Sequence, residues 1–513
     1  MAVDVLIGQA YFLRFDKTLW AAGQPYAPLG ALYAAAVARE AGFGVALFDA
    51  MLAGSVDEWE TALDQHAPSV AVIYEDSFNY LSKMCLLRMR AAALLMIAAA
   101  RRRGVPVIVA GSDATDHPAL YLEQGALAIV AGEGEITLVQ LLRALRSQPQ
   151  TLDAIAGIVF AADGRIVRTP PRPIVRDLDS LPRPAWDLVD IARYQTAWRQ
   201  KHGYFSMNLA TTRGCPYHCN WCAKPIYGQR YSARSPEHVA DEIAWLRRSY
   251  QPDHLWITDD IFGLKPGWIE RFARELETRD AVTPFKCLMR ADGITQTTVA
   301  ALVAAGCRTV WIGAESGSQR ILDAMEKGTR VEQIEAAAAL LREWEVEVGF
   351  FLQFGYPGET LEDIDATLAM VDRCEPDDIG VSVSYPLPGT PFFDRVRSQL
   401  GEKQNWDDSA DLAMMYRGTY GPEFYRALHR LTHTRFRARR GWATLKRAAR
   451  GDSMPGARAL ASALRGAAGE CIIPLLRRQV RHLAQMPVQA AQTPVIVPLL
   501  TRQAAALPTE QSH

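Results

Sequence analysis

The chain has 513 residues, of which 49% are hydrophobic and 22% are charged, and its formal net charge is −1. The length predicts two or three domains of ordinary globular composition, and the near-neutral charge gives no electrostatic case for a nucleic-acid partner. Eight cysteines in so long a chain do not indicate a secreted disulfide framework.

Two further patterns bear on location. The N-terminus lacks the basic region and the apolar core of a signal peptide. No run of about 18 uncharged apolar residues is present, so no membrane span is predicted. We therefore expect a reducing, cytoplasmic setting.

Strands and helices alternate through residues 1–150. Apolar runs predict strands at 3–7, 45–48, 70–73, 105–109 and 127–130, and helices at 28–42, at 86–103 and up to residue 146. This alternation is typical of a parallel sheet with helices on both faces, whose ligands bind beyond the carboxyl ends of the strands. Glycine-containing segments follow the fourth and fifth strands: Gly111-Ser112 and Gly132-Glu133-Gly134-Glu135.

A turn and two proline-rich segments separate this region from the next. Asp163-Gly164 lies between two short apolar runs and predicts a hairpin, and the prolines at 170–173 and 181–184 predict an extended linker. We divide the chain into a first α/β domain at 1–150, a hairpin and linker at 151–195, a second α/β domain at 196–400 and a C-terminal extension at 401–513.

The second α/β domain repeats the strand–helix pattern six times. Its apolar runs lie at 205–210, 254–257, 285–289, 309–312, 346–354 and 379–383. Polar residues and glycines follow several of these runs, at the strand ends where barrels of this kind carry their chemistry. Cys287, Cys307 and Cys374 lie within apolar segments and are interpreted as core residues.

The first of these strands leads into a cysteine motif. Cys215, Cys219 and Cys222 have CxxxCxxC spacing in a short polar loop. A [4Fe–4S] cluster held by protein alone takes four thiolates, so three thiolates leave one iron free for a small chelating ligand. A zinc knuckle and three buried cysteines are the alternatives; structural zinc requires a fourth ligand, and only His218 is near in sequence.

The cysteine motif and the six strand–helix units resemble the radical S-adenosylmethionine (SAM) enzymes. The resemblance implies a partial (β/α)6 barrel, with the amino and carboxylate groups of SAM on the free iron. An electron from the cluster then cleaves SAM to a 5′-deoxyadenosyl radical. The resemblance also implies an external electron donor such as flavodoxin or ferredoxin.

The resemblance further implies which residues contact SAM. They are the aromatic residue before the last cysteine and residues at the ends of four strands: Trp221, Asp259, Asp260, Arg290, Glu315, Ser316, Gly355 and Gly358. A guanidinium such as that of Arg290 can pair bidentately with the SAM carboxylate. The strand-end candidates also have a structural interpretation, as helix-initiating residues, caps or turns.

Residues 1–150 resemble the Rossmann-like cobalamin-binding domain found ahead of many radical SAM domains. The resemblance lies in the helix start at Gly30, the helix end at Gly42 and the two glycine-containing segments. It implies that cobalamin contacts Gly111, Ser112, Gly132, Glu133 and Gly134, because glycine lets the backbone approach a bulky ligand. The alternative is a generic doubly wound domain whose glycines only turn corners.

The loop after the first strand, residues 8–26, contains no histidine, whereas many cobalamin proteins have a cobalt-ligating histidine there. His117 follows the fourth strand instead and is interpreted as a surface or helix-capping residue. We expect that no protein histidine holds the lower face of the cobalt if cobalamin binds.

The C-terminal extension contains a basic segment. Residues 417–450 carry ten Lys or Arg and one acid, Glu423, with aromatic and aliphatic residues between them. Such a segment predicts a helix that binds a membrane surface or a partner, or else a solvated helical cap on the barrel. Residues 471–500 are apolar but contain four prolines, and we expect a loosely ordered tail there.

Over about residues 1–400 the chain resembles cobalamin-dependent radical SAM enzymes, and three functions are compatible with that. The first is methylation of an unactivated carbon in a hydrophobic small molecule, with peripheral membrane contact through the basic region. The second is oxidative cyclisation of the anaerobic magnesium-protoporphyrin monomethyl ester cyclase type. The third is a non-catalytic regulator that binds cobalamin or an iron–sulfur cluster.

Overall fold

The computed structural model describes residues 3–147, 152–224, 226–401, 403–450 and 456–487. A seven-stranded sheet in the order β2-β1-β3-β4-β5-β6-β7 organises the N-terminal part. Its strands are β1 (Val5–Gly8), β2 (Val45–Phe48), β3 (Val70–Tyr74), β4 (Val107–Ala110), β5 (Ala128–Val130), β6 (Ile158–Ala162) and β7 (Arg165–Arg168). The first five strands run parallel, and β6 and β7 are antiparallel.

Helices cover both faces of this sheet. They are α1 (Lys17–Ala22), α2 (Leu29–Glu40), α3 (Asp57–His66), α4 (Tyr80–Lys83), α5 (Leu87–Arg102), α6 (Ser112–Asp116), α7 (Pro118–Gln124) and α8 (Glu135–Arg146). Ala31, Ala35 and Leu138 of α2 and α8 form a core on one face, and Trp59 and Met96 of α3 and α5 form a core on the other. Because both faces are buried, the strands are continuous apolar runs, which makes them predictable from sequence.

The hairpin at residues 158–168, which the sequence places in the linker segment, continues the first sheet. β6 pairs with the edge of β5, with Ile129 opposite Val159. This pairing satisfies backbone groups that an edge strand would otherwise leave exposed. Helix α9 (Ile191–His202) then leads into the second sheet.

The second sheet is open and parallel, with six strands in the order β15-β14-β13-β12-β11-β8. Its strands are β8 (Ser206–Leu209), β11 (His254–Ile257), β12 (Phe285–Met289), β13 (Cys307–Glu315), β14 (Glu347–Phe354) and β15 (Asp378–Val383), and a two-stranded ribbon, β9 (Thr212–Arg213) and β10 (Ser232–Ala233), follows β8. The accompanying helices are α10 (Pro236–Tyr250), α11 (Trp268–Thr278), α12 (Gln296–Ala304), α13 (Gln319–Ala324), α14 (Val331–Glu343), α15 (Leu361–Cys374) and α16 (Pro391–Val396). The predicted fold, a Rossmann-like domain followed by a partial (β/α)6 barrel, is confirmed.

The two sheets share one apolar interface. Tyr26, Leu29 and Leu32 from the first domain belong to the same buried cluster as Phe205 and Leu209 of the barrel. Burying one such side chain contributes roughly 1.5–3 kcal/mol relative to leaving it exposed. The interface therefore holds the two domains together and fixes which of their loops face each other.

The described part of the C-terminal extension forms α17 (Pro422–Arg450), α18 (Ala457–Ala468) and α19 (Ile473–Ala484), with a 3-10 turn at Gly469–Ile472 between the last two. The first half of α17 caps the barrel through the buried Tyr425, Leu428 and Leu431. Asp372 of α15 forms ion pairs with Arg435 and Arg439 of α17. This half of the helix matches the cap interpretation of the basic segment.

The loosely ordered tail predicted for residues 471–500 is wrong in its first part. Residues 473–484 are helical because Pro474 lies in the first turn of α19, where its missing N–H is not needed. Residues 488–500 lie outside the described residues. The helix Ala459–Ala484 has the length and apolar composition of a membrane span, and most of its apolar part is not buried against the protein. Charged residues interrupt it, which is why no uncharged run is visible in the sequence.

Candidate active site

The three motif cysteines lie in a loop at the carboxyl edge of the barrel sheet. The ribbon of β9 and β10 closes the base of this loop, pairing Arg213 with Ser232. Gly214 follows with a φ of +74°, and a Cβ there would overlap the carbonyl oxygen of Arg230, so only glycine fits. Cys215, Cys219 and Cys222 are free thiols, and Cys219 is buried. We call residues 214–224 the cluster loop.

The donor set of this loop fits an iron–sulfur cluster better than a single ion. Within the described residues, no three His, Cys, Asp or Glu side chains converge closely enough to hold one metal ion. A zinc knuckle needs four ligands around one ion, whereas a four-iron cluster is a wider body bound by spaced thiolates. Burial raises the pKa of the Cys222 thiol to about 12, so it is neutral at neutral pH until a metal replaces its proton.

Among the described residues, four cationic side chains lie close enough to the cysteines to interact with their thiolate forms. Lys83 and Lys224 interact electrostatically with Cys222, and Arg290 and Lys327 interact with Cys219. The four come from helix α4, the cluster loop and the loops after β12 and α13. Positive charge in this arrangement stabilises an anionic thiolate cluster. Lys83, Lys224 and Lys327 were not predicted. Lys83 and Lys327 are far from the cysteines in sequence, whereas Lys224 is two residues from Cys222 and was overlooked.

Arg290, a predicted SAM contact, is fixed by three interactions. It pairs bidentately with Asp292 at 3.0 and 2.8 Å and donates to the carbonyl oxygen of Lys327 at 2.8 Å. Its guanidinium carbon lies 3.6 Å from the ring centroid of Tyr217 in the cluster loop. Arg290 therefore braces the cluster loop, and its contact with SAM remains a prediction.

Asp259 and Asp260, the predicted partners of the SAM amino group, have different surroundings. Asp259 is buried and accepts hydrogen bonds from the Thr211 and Thr212 amides at 2.7 and 3.0 Å and from the Thr211 hydroxyl. Burial raises the pKa of Asp259 to about 7. Asp260 is partly exposed and pairs with Lys83 of the first domain at 2.6 Å. Asp259 thus orients the chain that enters the cluster loop, and Asp260 is the more accessible carboxylate.

Glu315 and Trp221 lie close to the same lysine. Glu315 ends β13 with a φ of +58° and pairs with Lys327 at 2.9 Å, both side chains being less than a tenth exposed. A non-glycine residue in this left-handed region costs on the order of 1–3 kcal/mol, which the surrounding packing must offset. The Lys327 ammonium lies 6.0 Å from the Trp221 ring. The buried indole N–H of Trp221 has no hydrogen-bond partner in the described part of the chain, so it is free to donate to a ligand.

Ser316, Gly355 and Gly358 are engaged with the protein itself. The hydroxyl of Ser316 contacts Thr367 of α15 at 3.1 Å and accepts the Ser318 amide. The Gly355 amide donates to Glu359 at 2.5 Å, and Arg320 donates to the Gly358 carbonyl at 2.9 Å. These contacts do not test the role of the three residues toward SAM, which remains a prediction.

The predicted cobalamin residues line the carboxyl edge of the first sheet. A Cβ at Gly111 would lie 2.6 Å from the Glu75 side chain, and one at Gly132 would lie 3.6 Å from the Ile226 carbonyl beyond the cluster loop. Ser112 shares a cavity with Lys83, Lys224 and Asp260. The two carboxyl edges therefore face each other across this cavity, and the cavity has room for about one water molecule.

Glu133 has a structural partner that the sequence did not indicate. Its carboxylate accepts from Arg213, and Glu135 accepts from the same guanidinium at 2.7 Å. All three side chains are at most 5% exposed. Arg213 also lies between 5.2 and 5.7 Å from the ring centroids of Tyr33, Phe78 and Tyr227. We call Arg213, Glu133 and Glu135 the interdomain clamp, because it joins the strand before Cys215 to the loop after β5.

His117 lies between α6 and α7. It occupies the N-cap position of α7, and its backbone N–H donates to the Asp113 carbonyl at the end of α6, so the capping interpretation holds for its backbone, whereas its side chain makes no capping hydrogen bond. Its Nε2 atom lies 3.9 Å from Asp113, and burial lowers the pKa of its imidazole. Cys287, Cys307 and Cys374 are buried in the core, as predicted.

Comparison with known proteins agrees with this division of the chain. Residues 19–142 match the family model of the B12 binding domain, and residues 209–371 match that of the radical SAM superfamily. An uncharacterized methyltransferase of Pyrococcus horikoshii is 28% identical over 305 residues, covering 58% of this chain and 65% of that protein. The anaerobic magnesium-protoporphyrin IX monomethyl ester cyclase of Rubrivivax gelatinosus is 28% identical over 286 residues, covering 54% of this chain and 49% of the cyclase. The matched regions thus span 65% and 49% of the lengths of these two relatives.

Solved structures share the fold. TsrM from Kitasatospora setae, a radical SAM methyltransferase solved with cobalamin and a [4Fe–4S] cluster, has a TM-score of 0.64 and 22% identity, with 78% of each chain covered. OxsB, a cobalamin-dependent SAM radical enzyme solved with aqua-cobalamin, has a TM-score of 0.61 and 20% identity, covering 73% of this chain and 52% of OxsB. With both domains present in this order and in this fold, the chain belongs to the radical SAM enzymes that carry an N-terminal cobalamin-binding domain.

Proposed function

We propose that this chain is a cobalamin-dependent radical SAM methyltransferase that methylates an unactivated carbon of a hydrophobic small molecule. One observation carries the proposal. The three free thiols of the cluster loop stand directly opposite the carboxyl edge of the B12-binding sheet, and the interdomain clamp joins the two. Two cofactor sites that face each other allow a substrate carbon to meet both.

Each cofactor has candidate residues in this chain. Cys215, Cys219 and Cys222 would hold a [4Fe–4S] cluster, with four cations around it. SAM would lie toward the barrel, near Trp221, Asp260, Arg290 and Glu315. Cobalamin would lie against Gly111, Ser112, Gly132 and Gly134. When bound, these groups supply a hydrogen-abstracting radical and a transferable methyl group, and the protein supplies orientation and exclusion of water.

Contacts within the chain support the role of the protein in orienting the cofactors and excluding water. The apolar interface that includes Tyr26 and Leu209 keeps bulk water away from the facing edges. Lys83 and Asp260 form a polar pair within the cavity between them. Because the cavity is narrow, a corrin ring requires the facing loops to move apart. A cytoplasmic setting and a flavodoxin or ferredoxin as electron donor belong to the same proposal.

Oxidative cyclisation is the second candidate. The sequence identity to the Rubrivivax gelatinosus cyclase equals that to the Pyrococcus horikoshii methyltransferase over a similar length. The two reactions differ in their products. Methyl transfer converts SAM to both S-adenosylhomocysteine and 5′-deoxyadenosine, whereas the cyclase reaction forms 5′-deoxyadenosine without S-adenosylhomocysteine.

Product analysis tests the proposal. The protein is reconstituted anaerobically with iron, sulfide and cobalamin, and is then incubated with methyl-labelled SAM, a reductant and a pigment or lipid extract. We expect both SAM products in equal amounts and label in an extract component. If no extract component carried the label and 5′-deoxyadenosine formed without S-adenosylhomocysteine, methyl transfer would be excluded and the cyclase reaction would be favoured. The Cys219→Ala variant is the control, since it should lose the iron–sulfur absorbance and both products.

A further inference from the structure

The helix formed by α18, the 3-10 turn and α19 has two apolar faces. One face, with Ala463, Ala467, Ile473 and Val480, is buried. The other is exposed: Leu464, Ile472 and Leu475 are 54%, 49% and 68% accessible. With Ala468, which is also exposed, these residues recur four, four and three positions apart, so they share one side of the helix. We call Leu464, Ala468, Ile472 and Leu475 the apolar stripe.

Arginines flank the apolar stripe. Arg465 lies on one side of it by helical spacing and Arg478 on the other, and both are exposed, as are Arg477 and Arg481. Between residues 437 and 487, ten described Lys or Arg side chains accompany one described acid, Glu470. The whole chain has a net charge of −1, so positive charge is concentrated on these helices. An apolar stripe between basic residues is the pattern of helices that lie in the headgroup region of anionic bilayers.

A tryptophan extends the same surface. Trp442 of α17 is 47% exposed and follows Gly441. At Gly441, α17 approaches the backbone of α18 so closely that a Cβ would overlap the Ala463 carbonyl. Trp442 is therefore anchored beside the crossing of the two helices. Tryptophan side chains are enriched at the boundary between headgroups and acyl chains.

The charges in this helix favour an orientation along a bilayer surface over one that crosses it. Within Ala459–Ala484 are Arg465, Glu470, Arg477, Arg478 and Arg481. A central arginine costs about 2.5–3.5 kcal/mol in a spanning helix. The face with Ala463, Ile473 and Val480 is already covered by protein, so only the opposite face is open to lipid.

We propose that the second half of α17, α18 and α19 form a docking surface for an anionic lipid bilayer. The apolar stripe enters the acyl boundary while the arginines contact lipid phosphates. The first half of α17 is fixed to the barrel through Leu428, Leu431 and the Asp372 ion pairs, so docking holds the barrel at the membrane surface. The inference does not depend on the reaction, and a chain without methyltransferase activity would still bind.

Co-sedimentation with vesicles tests this surface in the full-length protein. One set of vesicles contains phosphatidylcholine alone, and the other contains equal parts of phosphatidylcholine and phosphatidylglycerol. We expect binding to the second set at low salt, with little binding to the first. Raising the salt to about 1 M should weaken binding, because the Debye length then falls to about 3 Å.

Paired variants separate the two contributions. Leu464→Gln combined with Leu475→Gln should lower the partition coefficient by about tenfold or more, since two aliphatic side chains no longer enter the bilayer. Replacing Arg477, Arg478 and Arg481 with Gln should lower it by about fivefold for each charge, whereas Lys at the same positions should retain binding. The matched control is Leu120→Gln in α7, where an apolar side chain with 42% exposure lies outside the surface.

Four results would overturn the inference. They are equal binding to both vesicle types, no binding to either, unchanged binding by the double leucine variant, and self-association of the protein that requires Leu475. The last result would mean that a second copy of the chain covers the apolar stripe. Because the substituted residues are exposed, circular dichroism spectra of the variants should match the wild type, and a variant that fails this check is replaced by Leu475→Ser alone.

Discussion

Arg213 places one positive charge between two buried carboxylates. Its partners Glu133 and Glu135 are almost fully shielded from water, and one oxygen of Glu135 has no partner among the described residues. Burial raises the pKa of Glu133, the Arg213 charge opposes this shift, and the neighbouring Glu135 carboxylate adds to it. Both carboxylates therefore depend on the one guanidinium as their counter-ion. One carboxylate alone is enough to neutralise the charge of the guanidinium.

This asymmetry predicts opposite outcomes for the members of the interdomain clamp. Arg213→Met leaves two carboxylates buried without a cation and should lower the free energy of unfolding by about 3–5 kcal/mol. Glu135→Gln keeps a one-to-one pair between Arg213 and Glu133, and its amide NH2 replaces an oxygen that has no hydrogen-bond partner among the described residues, so it should change the free energy of unfolding by less than about 1 kcal/mol. Denaturant unfolding followed by tryptophan fluorescence measures both. Equal losses in the two variants would contradict the account, and the triple variant that combines Arg213→Met, Glu133→Gln and Glu135→Gln should recover much of the loss.

Glu359 predicts a pH dependence of stability. It is fully buried, accepts the Gly355 amide, and has a pKa raised by burial from 4.5 to about 8. The pKa of Glu359 is higher in the folded than in the unfolded protein. Its contribution to the free energy of unfolding is therefore fully present below pH 4.5, and it is lost as the pH rises to about 8. The slope contributed by this group is about 1.4 kcal/mol per pH unit.

The Glu359→Gln variant should lack that contribution, because an amide can still accept the Gly355 bond but does not ionise. Melting temperatures are measured from about pH 5 to about pH 8. The difference between the variant and the wild type should shift in favour of the variant as the pH rises. Glu343→Gln, at an exposed position on α14, provides the control and should follow the wild type. A constant difference between the Glu359→Gln variant and the wild type across this range would rule out the titration.

A helix or strand can be predicted from the sequence when the residues that cause it to form are neighbours in the chain. Strands β11 and β12 have the predicted bounds because apolar runs define them. The hairpin at 158–168 joins the first sheet through long-range pairing with β5, which no local pattern announces. α19 was missed because Pro474 was taken as a break, although proline is accepted in a first turn.

The crossing of α17 and α18 depends on two glycines that no periodic pattern singles out. A Cβ at Gly441 would overlap the Ala463 carbonyl, and a Cβ at Gly466 would overlap the Arg437 carbonyl. Gly441→Leu should force the helices apart, with a cost of about 1–3 kcal/mol from overpacking. We expect faster proteolysis between residues 456 and 487 while the barrel stays folded.

Limited proteolysis with mass spectrometry measures this effect. Gly421→Ala is the matched control, because a Cβ at Gly421, before α17, meets no atom within 4 Å. If Gly441→Leu and Gly421→Ala gave the same cleavage pattern, the two helices would not depend on close contact at that point. The vesicle binding proposed for this surface should fall in parallel with the loss of the crossing.

For the molecule as a whole, the cofactor sites differ in how far the sequence could identify them. The cluster loop is local, since three cysteines within eight positions define it. The contacts that set its position are not local: Arg213 lies 80 residues from Glu133, and Lys83 lies 177 residues from Asp260. A single sequence contains no physical signal for such pairs, because only the folded interface brings their charges together.

The Lys83–Asp260 pair joins the two facing edges, and the rate of cobalamin binding can test what it does there. The pair joins α4 to the loop after β11 at 2.6 Å, beside a cavity too narrow for a corrin ring. On the proposal that cobalamin binds between these loops, we expect the pair to break when they separate, and a partly exposed ion pair contributes about 0.2–1 kcal/mol. Lys83→Met should therefore accelerate cobalamin association by up to about fivefold, as followed by stopped-flow absorbance of the anaerobic protein.

The control is Arg39→Met, which breaks the exposed Arg39–Asp187 pair away from these loops and should leave the rate unchanged. If Lys83→Met bound cobalamin at the wild-type rate at every salt concentration, the facing loops would separate without breaking this pair.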